Sequence, residues 1–169
     1  MKTNRNIGLT YILMVIVQMF ICNYFHFSMY VTLSMLPAMV LCIPLSVNTS
    51  LAMVIAFATG LATDVFSDAV LGLNAMSLVP VALARKYIIR TFIGEETVER
   101  EESFSFRKNG LGKVSASIAL CELIFFAIYI IMDGAGTRPV WFNISRLCAS
   151  MAASYILSLI AIHMLSSED

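Results

Sequence analysis

The feature that most constrains this fold is a long stretch without charge: Tyr24–Thr63 contains no Asp, Glu, Lys or Arg. Tyr11–Cys22 also lacks charge. Only 13% of the 169 residues are charged and 59% are hydrophobic, whereas a soluble domain carries about 25% charged residues. A chain of this size has too small a core to bury so much contiguous apolar sequence. The sequence therefore predicts an all-α integral membrane protein in which residues 1–169 form one polytopic domain.

The apolar sequence divides into about six segments, each close to the about 20 residues that a membrane-spanning helix needs. The predicted spans are 7–23, 27–45, 51–66, 72–89, 114–132 and 143–165. The second span holds Pro37 and closes at Pro44, and a proline interrupts a helix. This span could therefore be short or irregular, which leaves five spans as the main alternative.

The basic residues predict the orientation of the bundle. With six spans, Arg138 and Arg146 lie on one side, and the other nine of the 11 Lys and Arg residues lie on the opposite side. Basic residues accumulate on the cytoplasmic side of a membrane. Both termini and the charged loop 90–113 are therefore predicted to be cytoplasmic, whereas five spans would place the termini on opposite sides.

The motifs of several function classes are missing from the sequence. It has no nucleotide-binding loop, no HExxH or GxSxG motif and no kinase signature. The four cysteines lie in apolar segments without a CxxC pair, which favours packing over a metal site or disulfide. No basic stripe suggests a nucleic acid. We therefore expect neither an enzyme nor a protein that binds a cofactor, a metal or a nucleic acid.

Two carboxylates, Asp64 and Asp68, follow a series of small residues at intervals of four, which places them near one face of the third helix. Gly60 belongs to the same face, where small residues let another helix approach closely. We expect Asp64 to be structural, because it could cap the helix that starts near Gly72 and Asn74. A ligand or proton site is the alternative for Asp64, and Asp68 is typical of a turn.

An intramembrane aspartyl protease would need two carboxylates at one depth. Asp64 is predicted near the outer surface, whereas Glu122 lies closer to the middle of the membrane. Glu122 must face the bundle or a water-filled cavity, or be protonated. His163, Arg85 and Lys86 are its candidate partners by depth.

Arg146 is a basic residue at the outer end of the predicted sixth span. It begins a stripe at intervals of four that continues with Ser150, Ser154 and Ser158. Its predicted depth matches that of Asp64 and Asp68, so an ion pair between the third and sixth spans is the second expectation for Asp64.

Several of these residues carry a resemblance to a known family. The pattern Gly60-x-x-x-Asp64, a short turn and Gly72 at the next helix resembles the signature of the rod-shape-determining protein MreD family. Asn23-Tyr24-Phe25-His26 and Asp64-Val65-Phe66-Ser67-Asp68 resemble its Bacteroidetes branch. Lys86 departs from the family pattern, which would place a proline after the arginine that matches Arg85.

The resemblance implies a non-enzymatic scaffold in the bacterial cytoplasmic membrane, which helps to position side-wall peptidoglycan synthesis. The implied partners are an MreC-like membrane protein, the actin-like MreB and the glycosyltransferase–transpeptidase pair of cell elongation. The implied fold is similar to the six-helix substrate-binding component of energy-coupling-factor vitamin transporters. Such a transporter component is the alternative function. The residues expected at a packing or partner interface are Gly60, Asp64, Asp68, Gly72, Asn74 and Arg146.

Overall fold

The computed structural model describes residues 3–24, 31–66, 70–94, 111–134 and 138–166, and its elements are helices. They are α1 (Thr3–Tyr24), α2 (Leu36–Leu41), α3 (Thr49–Phe66), α4 (Leu73–Phe92), α5 (Leu111–Gly134) and α6 (Val140–Ser166). By length and composition, three of the described helices, α3, α5 and α6, could cross a membrane. Asp68, His26 and the central part of the predicted loop 90–113 lie outside the described residues.

Many large apolar side chains are exposed on the outside of the bundle, and a few charged side chains are buried within its mostly apolar core. Ile12, Val54 and Ile156 are 62%, 61% and 62% exposed. In contrast, Arg85 and Glu122 are completely buried. Apolar side chains on the outside and charged ones on the inside suit a protein whose solvent is hydrocarbon. This distribution supports a helical membrane protein.

The five long helices form a ring around the short helix α2. Among the described residues, contacts follow the order α1, α3, α4, α5 and α6, and α6 contacts α1 to close the ring. Helix α2 contacts each of the five long helices, and all of its residues are buried. The most extensive contact is between α3 and α4.

The predicted second span over 27–45 is short and irregular in its described part, which is one of the outcomes that the sequence left open. Residues 31–35 are not helical, α2 covers only Leu36–Leu41, and turns follow up to residue 48. Pro37 lies in the first turn of α2, where a missing N–H does not interrupt the helix. We call residues 31–45 the broken segment. The other five predicted spans overlap α1, α3, α4, α5 and α6 and end within four residues of them.

Candidate functional site

The α3–α4 corner is built around the carboxylate of Asp64, which is 1% exposed. Its Oδ1 accepts hydrogen bonds from the backbone N–H of Asn74 at 3.1 Å and from Asn74 Nδ2 at 2.8 Å. Its Oδ2 accepts from the N–H groups of Gly72 at 3.0 Å and Ala75 at 3.3 Å. The first N–H groups of a helix lack partners within the helix and attract negative charge. Asp64 therefore caps α4, which is the first of the two roles expected for it.

Two glycines allow the corner to close. A Cβ atom at Gly60 would lie 2.5 Å from Ala75 N and 2.8 Å from Asn74 C, so only glycine permits this approach of α3 to α4. Gly72 has a φ of 90°, which is left-handed backbone that glycine adopts without steric cost. The pattern Gly60-x-x-x-Asp64 with Gly72 is thus one structural unit, and we call it the corner motif.

Arg146 pairs with a different carboxylate from the one predicted. Its Nη1 donates to Asp133 Oδ2 in the last turn of α5. Its Nη2 donates to Thr32 Oγ1 at 3.2 Å. The expected pairing of Arg146 with Asp64 is therefore wrong, because the short connection between α5 and α6 brings Asp133 to Arg146 instead.

Glu122 is completely buried and contacts a serine of the predicted stripe. Its Oε1 accepts a hydrogen bond from Ser158 Oγ at 2.6 Å. Its Oε2 has no hydrogen-bond partner among the described residues. Arg85, one of the expected partners, instead donates to the carbonyl oxygens of Ile43 at 2.6 Å and Pro44 at 3.3 Å.

Of the other expected partners of Glu122, Lys86 is half-buried on α4. The side chain of His163 lies outside the described residues. The structure shows Ser158 as the partner of Glu122. Ser158 belongs to the stripe that begins at Arg146, but its hydrogen bond to Glu122 was not predicted.

The remaining buried serines of the stripe hold the backbone of the broken segment. Ser150 Oγ accepts a hydrogen bond from the N–H of Thr32 at 3.0 Å. Ser154 Oγ accepts from the N–H of Ser34 at 3.0 Å and donates to the carbonyl oxygen of Thr32 at 3.3 Å. Residues 31–35 can therefore be non-helical while several of their backbone polar groups remain bonded inside the bundle.

Gln18 on α1 also holds the broken segment, and the sequence reading missed it. Its Oε1 accepts from the N–H of Met35 at 2.9 Å, and its Nε2 donates to the carbonyl oxygen of Leu33 at 3.2 Å. The side chain is completely buried. The one sequence feature that could have identified Gln18 is that its primary amide lies inside the charge-free run Tyr11–Cys22.

The arrangement uses polar side chains to bind the chain's own backbone. Asp64, Gln18, Ser150 and Ser154 all bond main-chain groups that the apolar surroundings leave without water. The described residues contain no group of three or more His, Cys, Asp or Glu side chains that could hold a metal ion.

No family model, curated protein or solved structure matches the chain.

Proposed function

We propose that this chain is a non-enzymatic membrane scaffold of the bacterial cell-elongation machinery, of the MreD type. The observation that carries the proposal is the corner motif, because its residues also carry the resemblance to that family. Asp64 uses both carboxylate oxygens to bind the start of α4, and Gly60 lies against the backbone of α4. These contacts hold α4 against α3. They therefore give the surface around the α3–α4 corner a fixed shape, which a scaffold requires.

The proposed arrangement has six membrane crossings, of which the broken segment is the second. Ser150 in the first half of α6 contacts Thr32, whereas Arg85 in the second half of α4 contacts the carbonyl of Pro44. The broken segment therefore runs along the bundle. An even number of crossings places both termini on the same side, and the distribution of basic residues places that side in the cytoplasm. A single cysteine at position 98 should react with an impermeant maleimide only after the cells are opened. Labelling of intact cells would contradict this topology.

The proposed direct partner is an MreC-like membrane protein, within a complex that includes MreB and the glycosyltransferase–transpeptidase pair. The surface proposed for this contact surrounds the α3–α4 corner. Phe66 and Leu71 are 61% and 68% exposed beside this corner. Apolar side chains on a rigid corner suit a contact with another membrane protein.

The alternative function is the substrate-binding membrane component of a vitamin-type transporter. Its support is the set of polar side chains inside the bundle, of which Glu122 has one oxygen without a partner among the described residues. The scaffold is favoured because Gln18, Ser150 and Ser154 are already bonded to the broken segment.

Affinity purification of the tagged full chain from its native membrane separates the two functions. Recovery of an MreC-like protein would support the scaffold, and recovery of a pair of ATPases would support transport. Gly60→Leu should reduce recovery of the MreC-like protein, because it separates α3 from α4. Leu61→Ala, which changes a side chain that is 39% exposed, is the matched control and should retain recovery.

A further inference from the structure

Glu122 is a buried acid that the proposed scaffold function does not require. It lies near the middle of α5, where its side chain is completely buried. An ionised carboxylate at the middle of a membrane is unfavourable unless cations or several hydrogen-bond donors surround it. The state of this acid therefore depends on the groups that the neighbouring elements supply.

Helix α5 packs against α2, α4 and α6, and no described basic side chain on them forms an ion pair with Glu122. The buried or half-buried titratable groups on these helices and on the turn after α2 include Cys42, Arg85, Lys86, Cys121 and Tyr155. Arg85 donates to the carbonyl oxygens at the end of the broken segment. Tyr129, Asp133 and Arg146 lie towards the outer end, where Arg146 is paired with Asp133.

The contrast with Asp64 supports a neutral Glu122. Four N–H donors converge on the two oxygens of Asp64, so both of its oxygens have donors. Glu122 receives one hydroxyl donor on Oε1, and its Oε2 has no partner among the described residues. A carboxylic acid can carry its own proton on that second oxygen, which removes the need for further donors.

We propose that Glu122 is a proton-binding site, in which a neutral carboxylic acid carries its proton on Oε2. Oε1 of the acid accepts the Ser158 hydroxyl and so joins α5 to α6. Release of the proton leaves a buried negative charge with a single described donor. Burial of that charge without further donors is unfavourable, so the site favours the protonated acid. This inference does not rest on the proposed scaffold function.

A hydrophobic carbodiimide tests the proposal on the purified full chain in phospholipid vesicles. Dicyclohexylcarbodiimide adds to a protonated carboxyl: the acid oxygen bonds to the central carbon, and the acid proton passes to a nitrogen. Mass spectrometry should locate the adduct on Glu122 at neutral pH, with Asp64 unmodified as the internal control. The extent of modification should fall about tenfold for each pH unit above the midpoint of the site.

Two variants keep the test decisive. Glu122→Gln is neutral and retains an oxygen for Ser158, so it should unfold at the temperature of the unchanged protein and give no adduct at that position. His163→Ala should leave the modification of Glu122 unchanged. An unmodified Glu122 at neutral pH, a Glu122→Gln variant that fails to fold, or increased modification in His163→Ala would each overturn the proposal. The last result would show that a histidine keeps the carboxylate ionised.

Discussion

The α3–α4 corner and the broken segment both contain main-chain polar groups that are buried among apolar helices, but their partners come from different distances along the chain. At the corner, Asp64 binds N–H groups 8 to 11 residues later. In the broken segment, Ser150 and Ser154 bind backbone groups 118 to 122 residues earlier. Partners that are close in the sequence form a short motif that can be recognised from the sequence. Partners that are far apart are separate polar residues, and only the packing of whole helices shows which of them bond.

The largest effect is expected from the carboxylate that holds the corner. Asp64→Leu removes the acceptor of the N–H groups of Gly72, Asn74 and Ala75. Each buried donor without a partner costs about 1–3 kcal/mol, so the free energy of unfolding should fall by about 3 kcal/mol or more. Chemical unfolding of the purified protein in detergent measures this loss.

Asp64→Asn is the matched variant and should lose less stability than Asp64→Leu. One amide oxygen can still accept from Asn74, but the amide nitrogen would face the N–H donors on the other side. If both variants unfold like the unchanged protein, the corner does not depend on the Asp64 cap.

An intermediate effect is expected at the contact between α3 and α4. Gly60→Leu places a side chain against the backbone of Asn74 and Ala75, and overpacking typically costs about 1–3 kcal/mol. Leu61→Ala changes an adjacent, partly exposed side chain and should alter the free energy of unfolding by less than about 0.5 kcal/mol. Thermal unfolding of both variants compares them, and equal losses would refute the close approach at Gly60.

The smallest effect is expected in the broken segment, because several side chains bind its backbone and each substitution removes only one of them. Ser154→Ala removes the partner of the Ser34 N–H and of the Thr32 carbonyl and should cost about 1 kcal/mol. Ser145→Ala, on the exposed side of α6, is the control and should have little effect. A Ser154→Ala variant as stable as this control would mean that residues 31–35 do not need α6.

The part of the fold that the sequence predicted follows from composition and from local spacing. Charge-free runs predicted helices for a membrane, and five of the predicted segments overlap α1, α3, α4, α5 and α6. The spacing of Gly60, Asp64 and Gly72 predicted a packed and capped corner, because all three residues act within one helix pair.

The rest depends on contacts between distant segments. Pro37 indicated an irregular second span, but only the positions of Gln18, Ser150 and Ser154 in the bundle explain why residues 31–35 can be non-helical. Depth along the helices suggested Arg85 for Glu122, but Arg85 bonds the carbonyl oxygens of Ile43 and Pro44, and Ser158 contacts Glu122. Depth alone also paired Arg146 with Asp64, although the α5–α6 connection supplies Asp133.

The most direct test of a structural role for the corner motif measures function and partner binding together. Asp64, Asp64→Asn and Asp64→Leu forms would each be expressed in rod-shaped cells that lack the native gene, with cell shape scored beside recovery of the MreC-like partner. If Asp64 acts by holding the corner, shape and partner recovery should fall together, least in Asp64→Asn and most in Asp64→Leu. Normal partner recovery with complete loss of rod shape in Asp64→Asn would contradict a structural role and would indicate a proton or ligand site at Asp64.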